Sequence, residues 1–185
     1  MRTIPQENYR IVISGLAGSG KSSVGKALAE LLGCSFRSAG FYAREEARRR
    51  GITIQKLQIE LEDDPEFDVV LDRRLIEWGR ANPCWVMDYR MGFALLPEAT
   101  SIYLTVTEEE AARRIQAAAR PEEFGGNEDI HDILRSINER NQNMRQRLQG
   151  LYGKDFSDSS QYDHVIATDG KTPDELVKQI RSLLV

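Results

Sequence analysis

A chain of 185 residues, 41% of them apolar, is long enough to bury one full core and fits a single domain. Its formal net charge of −4 excludes the overall basic balance on which nucleic-acid carriers rest, and no apolar run approaches the length needed to span a membrane. Met1 to Tyr9 carries Pro5, Gln6, Glu7 and Asn8 in place of an apolar leader, so a soluble, cytoplasmic protein is expected.

Tyr9 to Ser14 is a short apolar run suited to a buried parallel strand. It leads into Gly15-Leu16-Ala17-Gly18-Ser19-Gly20-Lys21-Ser22, which matches G-x-x-x-x-G-K-[ST], the phosphate-binding loop. The glycines let successive backbone N–H groups face a polyphosphate, Lys21 reaches the outer phosphates, and the Ser22 hydroxyl suits Mg²⁺. Val24, Ala27, Leu28 and Leu31 then repeat at helical spacing up to Gly33.

Cys34 to Arg37 reads as a second strand, and Ser38-Ala39-Gly40 opens a charged helix from Phe41 to Arg50. Arg44 stands out from Arg48, Arg49 and Arg50 because it falls in the first turns after a strand end beside the phosphate loop. Helices over 53–62 and 65–80 follow with no strand between them, so residues 38–80 are expected to form a helical insertion over the sheet edge. Cys34 and Cys84 lack C-x-x-C spacing and are expected to be free buried thiols; His131 and His164 form no ligand cluster.

Trp85 to Met87 gives a third strand ending in Asp88-Tyr89-Arg90, at the carboxyl end where open α/β sheets bind ligands. Asp88 suits the Mg²⁺ shell or proton acceptance, and Arg90 at a buried strand end calls for an anionic partner. A GTPase would carry D-x-x-G here, but Met91 holds the glycine position. Ser101 to Val106 is the fourth strand. Thr107 to Glu110 then caps a helix that reaches about residue 119 and bears Arg113 and Arg114. Residues 120–127 combine Pro, paired Gly and Asn, as a hinge or lid tip does.

A long amphipathic helix runs from about 129 to 150. At 100° per residue Arg140 and Arg147 lie within about 20° of each other on one edge of its apolar stripe, where they can point together into a cleft. Arg145 flanks the other edge and Arg135 faces solvent. Tyr162 to Ala167 is the last strand, and Thr172-Pro173-Asp174-Glu175 starts the closing helix. The sum is an α/β P-loop NTPase fold of about five mainly parallel strands with helices on both faces. Its core is expected at 9–37, 81–112 and 151–185, its insertion at 38–80 and its lid region at 113–150. Two mobile pieces flanking one phosphate loop suit a phosphoryl transferase that must exclude water.

Gly15–Ser22, Ser38-Ala39-Gly40 with Arg44, Asp72-Arg73-Arg74, Glu139-Arg140 with Arg147, and Tyr152-Gly153-Lys154-Asp155 together resemble the cytidylate kinase family, especially its short archaeal-type branch. Tyr162 to Ile166 matches that branch's final strand, and the likeness covers nearly the whole chain. The resemblance implies a monomeric, single-domain enzyme that transfers the ATP γ-phosphate to CMP or dCMP with Mg²⁺, and whose insertion and lid close over small-molecule nucleotides.

By position, Gly15, Gly18, Ser19, Gly20, Lys21, Ser22 and Ser23 would bind the donor, with Arg113 and Arg114 touching it. Ser38, Arg44, Asp72 and Arg90 would bind the acceptor. Ser22 and Asp88 would hold the metal, and Lys21, Arg140 and Arg147 would stabilise the transferring phosphoryl group. Tyr89 stands where the family commonly has glycine, which implies an acceptor pocket with a tyrosine at its rim, and Met91 follows Arg90 in place of aspartate. The lid segment 121–128 is less charged than the family's. A P-loop kinase for another small acceptor, and a nucleotide-binding regulatory module with little turnover, are the competing readings.

Overall fold

The computed structural model describes residues 8–63, 66–118 and 129–184. Five strands form one wholly parallel sheet in the order β2-β3-β1-β4-β5. They are β1 (Arg10–Gly15), β2 (Ser35–Ser38), β3 (Trp85–Asp88), β4 (Thr100–Thr105) and β5 (His164–Ala167). The β1 residues Ile11, Val12 and Ile13 are at most 1% exposed, which is why an uninterrupted β-branched run was required at the sheet centre. The last strand starts at His164, later than expected, because Tyr162 and Asp163 are spent on side-chain contacts below the sheet.

Helix α1 (Lys21–Leu32) and the closing helix cover one face, where Leu28, Leu176, Val177 and Ile180 meet Ile11 and Ile13. That closing helix, α8 (Pro173–Leu183), begins with the expected capping box between Thr172 and Glu175. Leu31, expected on the apolar face of α1, is 48% exposed. On the other face, Leu71 and Leu75 pack against Trp85, Met87 and Tyr89.

The insertion comprises α2 (Ala39–Arg50), α3 (Ile54–Asp63) and α4 (Glu66–Ala81). It has a small core of its own, Ala47, Ile54, Leu57 and Leu61. Its first helix starts two residues earlier than the sequence suggested, since the Ser38 hydroxyl caps it by accepting from Phe41 N at 3.3 Å. A single-turn helix, α5 (Gly92–Leu95), precedes β4, and α6 (Glu108–Ala117) follows it, with Thr107 as its expected N-cap. Helix α7 (Ile130–Tyr152) is anchored at both ends. Ile133 and Ile137 pack with Ala17, Ala112 and Ile115, while Met144 and Leu148 join the cluster around Trp85. The lid tip at 120–127 lies outside the described residues.

Cys34 and Cys84 are not free thiols: they form a disulfide, with Cα atoms 5.1 Å apart. The register explains it. Ser35 pairs with Trp85 across the β2–β3 ladder, so the residue before each strand meets the other at the amino end of the sheet. The bond closes a separation of 50 residues that contains the whole insertion. In the chain-entropy account, a loop of that size corresponds to up to about 4 kcal/mol. Reduction, or Cys84→Ser, is therefore expected to lower the urea midpoint without changing activity of the surviving folded fraction; coincident unfolding curves with and without reductant would show that the bond carries no stability.

Candidate active site

The phosphate loop is built by close contacts that exclude side chains. Gly18 has φ +80°, and a Cβ there would lie 2.7 Å from the Ala111 backbone of α6; Gly20 has φ +86° and caps α1 without a side chain. The first N–H groups of α1 therefore open onto a cavity of about 370 Å³. Lys21 is 8% exposed and donates to Leu16 O at 2.6 Å and Ser19 Oγ at 3.4 Å, so its ammonium lies inside the loop. Asn141 of α7 accepts from Ala17 N at 3.4 Å, tying the loop to the long helix.

Asp88, at the carboxyl end of β3, is 6% exposed. Its Oδ2 accepts from Ser22 Oγ at 2.5 Å and from Ser38 Oγ at 3.1 Å. One carboxylate thus joins the start of α1 to the start of α2. Ser22 and Asp88 make a hard-oxygen pair beside the phosphate site, the donor chemistry that Mg²⁺ takes when phosphates complete its shell. No cluster of three or more His, Cys, Asp or Glu occurs among the described residues.

Arg44, Arg90, Arg114 and Arg140 line the same cavity as Gly18, Lys21 and Ser23. Arg90 is half-buried, lies 5.6 Å over the Phe156 ring, and has a buried Nε that meets no hydrogen-bond partner among the described residues. Desolvation, reinforced by the charges of Arg140 and Arg147, pushes its guanidinium down to about 10. Arg114 is held by Glu110 at 2.9 Å and by Thr168, whose hydroxyl and carbonyl accept at 2.9 and 2.6 Å.

Arg113, Arg147 and Asp72, all expected in the site, are not among the residues that line this cavity. Arg113 is 67% exposed and pairs with Glu110 on the outer face of α6, since it sits 100° around the helix from Arg114. Arg147 shares the helix edge of Arg140 but turns toward the insertion. Its Nε donates to Asp68 Oδ2 at 2.7 Å, and its remaining nitrogens donate to the carbonyl and Oε1 of Gln58 at 3.4 Å each. It is 5% exposed. As expected, Arg135 is solvated, 70% exposed with Asp132 at 3.4 Å; Arg145 pairs with Asp155 at 2.5 Å.

Asp72 accepts from the Tyr152 hydroxyl and faces Tyr89, whose own hydroxyl is buried without a partner in hydrogen-bond geometry. Tyr89 is 3% exposed, so it belongs to the packed interior and not to a pocket rim. Burial, helped by the charge of Asp68, sets the Asp72 carboxyl above its ordinary range against the opposing pull of the Tyr152 and Tyr89 hydroxyls; burial also raises Asp68 against the pull of Arg147. Asp68, Gln58 and Asn141 were not singled out by the sequence, and Tyr152 was noted only as part of a family stretch. The only available signal was for Asp68, one helical turn before Asp72 on α4.

A family model described as an AAA domain matches residues 11–134. The cytidylate kinase of Sulfurisphaera tokodaii is 34% identical over 176 residues, 94% of each chain. That of Ignicoccus hospitalis is 34% identical and covers 95% of this chain and 98% of its own. The chain belongs to the cytidylate kinase family. It is an ATP-dependent phosphotransferase. An S-adenosylmethionine-dependent nucleotide dehydratase from Lacinutrix mariniflava is 37% identical over 172 residues, 92% of this chain, which spans only 35% of that protein. Among solved structures, the shikimate kinase of Bacteroides thetaiotaomicron superposes with a TM-score of 0.66 at 17% identity, covering 95% of this chain and 98% of its own. That likeness confirms the P-loop kinase fold of this family member.

The buried Asp72 gives this kinase a pH signature. Its folded-state pKa is raised, so between the ordinary carboxylate value of 3.8 and that raised value the native state holds more protons than the unfolded chain. Stability from this group is present at low pH and is lost as pH rises through the window. Asp72→Asn is expected to flatten the fall in the urea midpoint relative to wild type as pH goes from about 4 upward; parallel profiles would place the Asp72 charge outside the energetics of folding.

Proposed function

We propose that this protein is a nucleoside monophosphate kinase that transfers the γ-phosphoryl group of ATP to CMP or dCMP, giving ADP and CDP or dCDP. The observation that carries the reading is the meeting of Arg44, Arg90 and Arg140 opposite the phosphate loop in one cavity. A hydrolase acting on ATP alone has no need of a second set of cations facing the first. Whole-length relatives named cytidylate kinases support the cytidine acceptor. The kinship with part of a nucleotide dehydratase supports a nucleotide over a sugar or shikimate-like acceptor.

In this reading the amides of Gly18 to Ser23 and Lys21 hold the β- and γ-phosphates of the donor, and Arg114 flanks it. Arg44 and Arg90 hold the acceptor phosphate. Arg90, with its low-dielectric setting and unpartnered Nε, gains most from an arriving anion. Ser22 and Asp88 would hold Mg²⁺, which when bound neutralises charge on the phosphate oxygens. Ser38 sets the start of α2 and with it Arg44. Asp72 faces the acceptor's nucleoside, and Arg147 swings from Asp68 toward the phosphates as the helices close. Because phosphoryl transfer leaves the protein mainly with positioning and charge stabilisation, the arginines carry the catalysis.

A panel of nucleoside monophosphates, nucleosides, shikimate and gluconate with Mg-ATP tests the acceptor: CMP or dCMP is expected to give the fastest ADP release, and no acceleration by any monophosphate would overturn the proposal. Lys21→Ala and Arg147→Ala are each expected to lower kcat/KM by about 10² or more, since each removes charge that counts in the transition state. Arg135→Ala is the control and should be nearly silent. An unchanged rate in Arg147→Ala would confine that residue to its Asp68 pair.

A further inference from the structure

A second cavity of about 480 Å³ opens on the far side of Arg44, between α1, the edge strand β2 and α2. Its chemistry is uniform. Lys26 and Arg44 bring two cations, Phe36, Phe41 and Tyr42 bring three aromatic rings, and no acidic side chain is among the described residues lining it. In a chain of net charge −4, such a local excess of positive charge is an anion site. Phe41 is 52% exposed at its mouth, and stands edge-on to Tyr42 with ring centroids 5.9 Å apart and an interplanar angle of 76°. A ring fixed in that way offers an open flat face for stacking.

We propose that this groove binds a phosphorylated nucleoside distinct from the two that react, with its base on Phe41 and its phosphate between Lys26 and Arg44. The ligand class rests on the nucleotide reading of the neighbouring cleft. Arg44 is the common wall of the two cavities, as are Ser22 and Ser23. An occupant of the groove shares Arg44 with an acceptor phosphate that Arg90 also holds, so both can be bound at once and the KM for the acceptor rises while that for ATP stays nearly unchanged. The groove is thus a regulatory site written into the insertion's first helix.

The test fills the cleft with a bisubstrate analogue, adenosine and cytidine joined 5′ to 5′ through a polyphosphate, and then titrates CMP, ATP and pyrophosphate separately by calorimetry. One further equivalent of CMP or of ATP is expected, and which of them binds identifies the source; pyrophosphate, lacking a base, is expected to bind at least tenfold more weakly. Phe41→Ala should weaken that second binding roughly tenfold and leave both kcat and affinity for the analogue unchanged. Absence of a further equivalent, equal binding of pyrophosphate, or indifference to Phe41→Ala would each overturn the proposal. Failure of the analogue to bind would instead refute the cytidine acceptor, and the titration is then run with a non-hydrolysable ATP analogue in the cleft.

Discussion

Ser22 and Ser38 both donate to the same oxygen of Asp88, and the geometry of the site hangs on that sharing. Asp88 stands at the end of β3, which pairs with β1 on one side and β2 on the other. Its position is therefore set by two ladders. Ser22 belongs to the first turn of α1 and Ser38 caps α2, so the phosphate loop and the insertion take their reference from one carboxylate. A 6% exposed carboxylate is costly without hydrogen-bond donors, and the two hydroxyls on Oδ2 offset part of that cost. The start of α1 and the start of α2 thus draw on one group, which leaves little freedom to change it.

Around that anchor the charges are arranged in opposition. Arg44, Arg90, Arg114 and Arg140 face the loop, while Asp68 and Asp72 sit deeper, under α4. Arg90 feels Arg140 and Arg147 as like charges, and burial denies it water, so its cationic form is held at a cost. An anion brought beside it would relieve that cost, since the repulsion is already settled when the chain folds. Asp68 acts differently, since it neutralises Arg147, whose side chain is only 5% exposed. Removing one partner of such a buried pair leaves the other charge uncompensated, which holds Arg147 to the insertion.

The phosphate loop was legible because its meaning is local: eight consecutive residues dictate their own backbone and the helix that follows. Arg44 and Arg90 were legible almost as directly, each lying within a few residues of a strand's carboxyl end. What escaped the sequence depends on pairings between distant segments. The Cys34–Cys84 bond follows from β2 lying beside β3, a neighbour relation that the long insertion hides. Helical periodicity put Arg140 and Arg147 on one edge correctly, but two residues seven apart are about 10 Å apart along the axis, far enough to meet different partners. Arg140 reaches the cleft and Arg147 reaches Asp68. Nor does periodicity alone say which of Arg113 and Arg114 faces inward, since that is decided by Thr168 at the end of β5.

Tyr89 shows how a departure from a family pattern acquires meaning only in three dimensions. Read along the chain, a tyrosine in place of glycine beside Arg90 narrows the mouth of an acceptor pocket. In the fold it points the other way, 3% exposed among Leu71, Leu75 and Met144, with its hydroxyl brought against Asp72. A glycine there would leave a void between β3 and α4, and the ring fills it. The hydroxyl, buried without a good partner, costs about 1–3 kcal/mol, while the ring it terminates contributes a comparable amount through burial. The balance favours keeping the ring only if the hydroxyl does something. What it faces is Asp72, already engaged by Tyr152, so that buried carboxyl lies between two phenols. Tyr152 fixes one oxygen of that carboxylate, and the Tyr89 ring closes the space beside it. The tyrosine therefore acts on the packed seam between β3 and α4 rather than on the rim of a pocket.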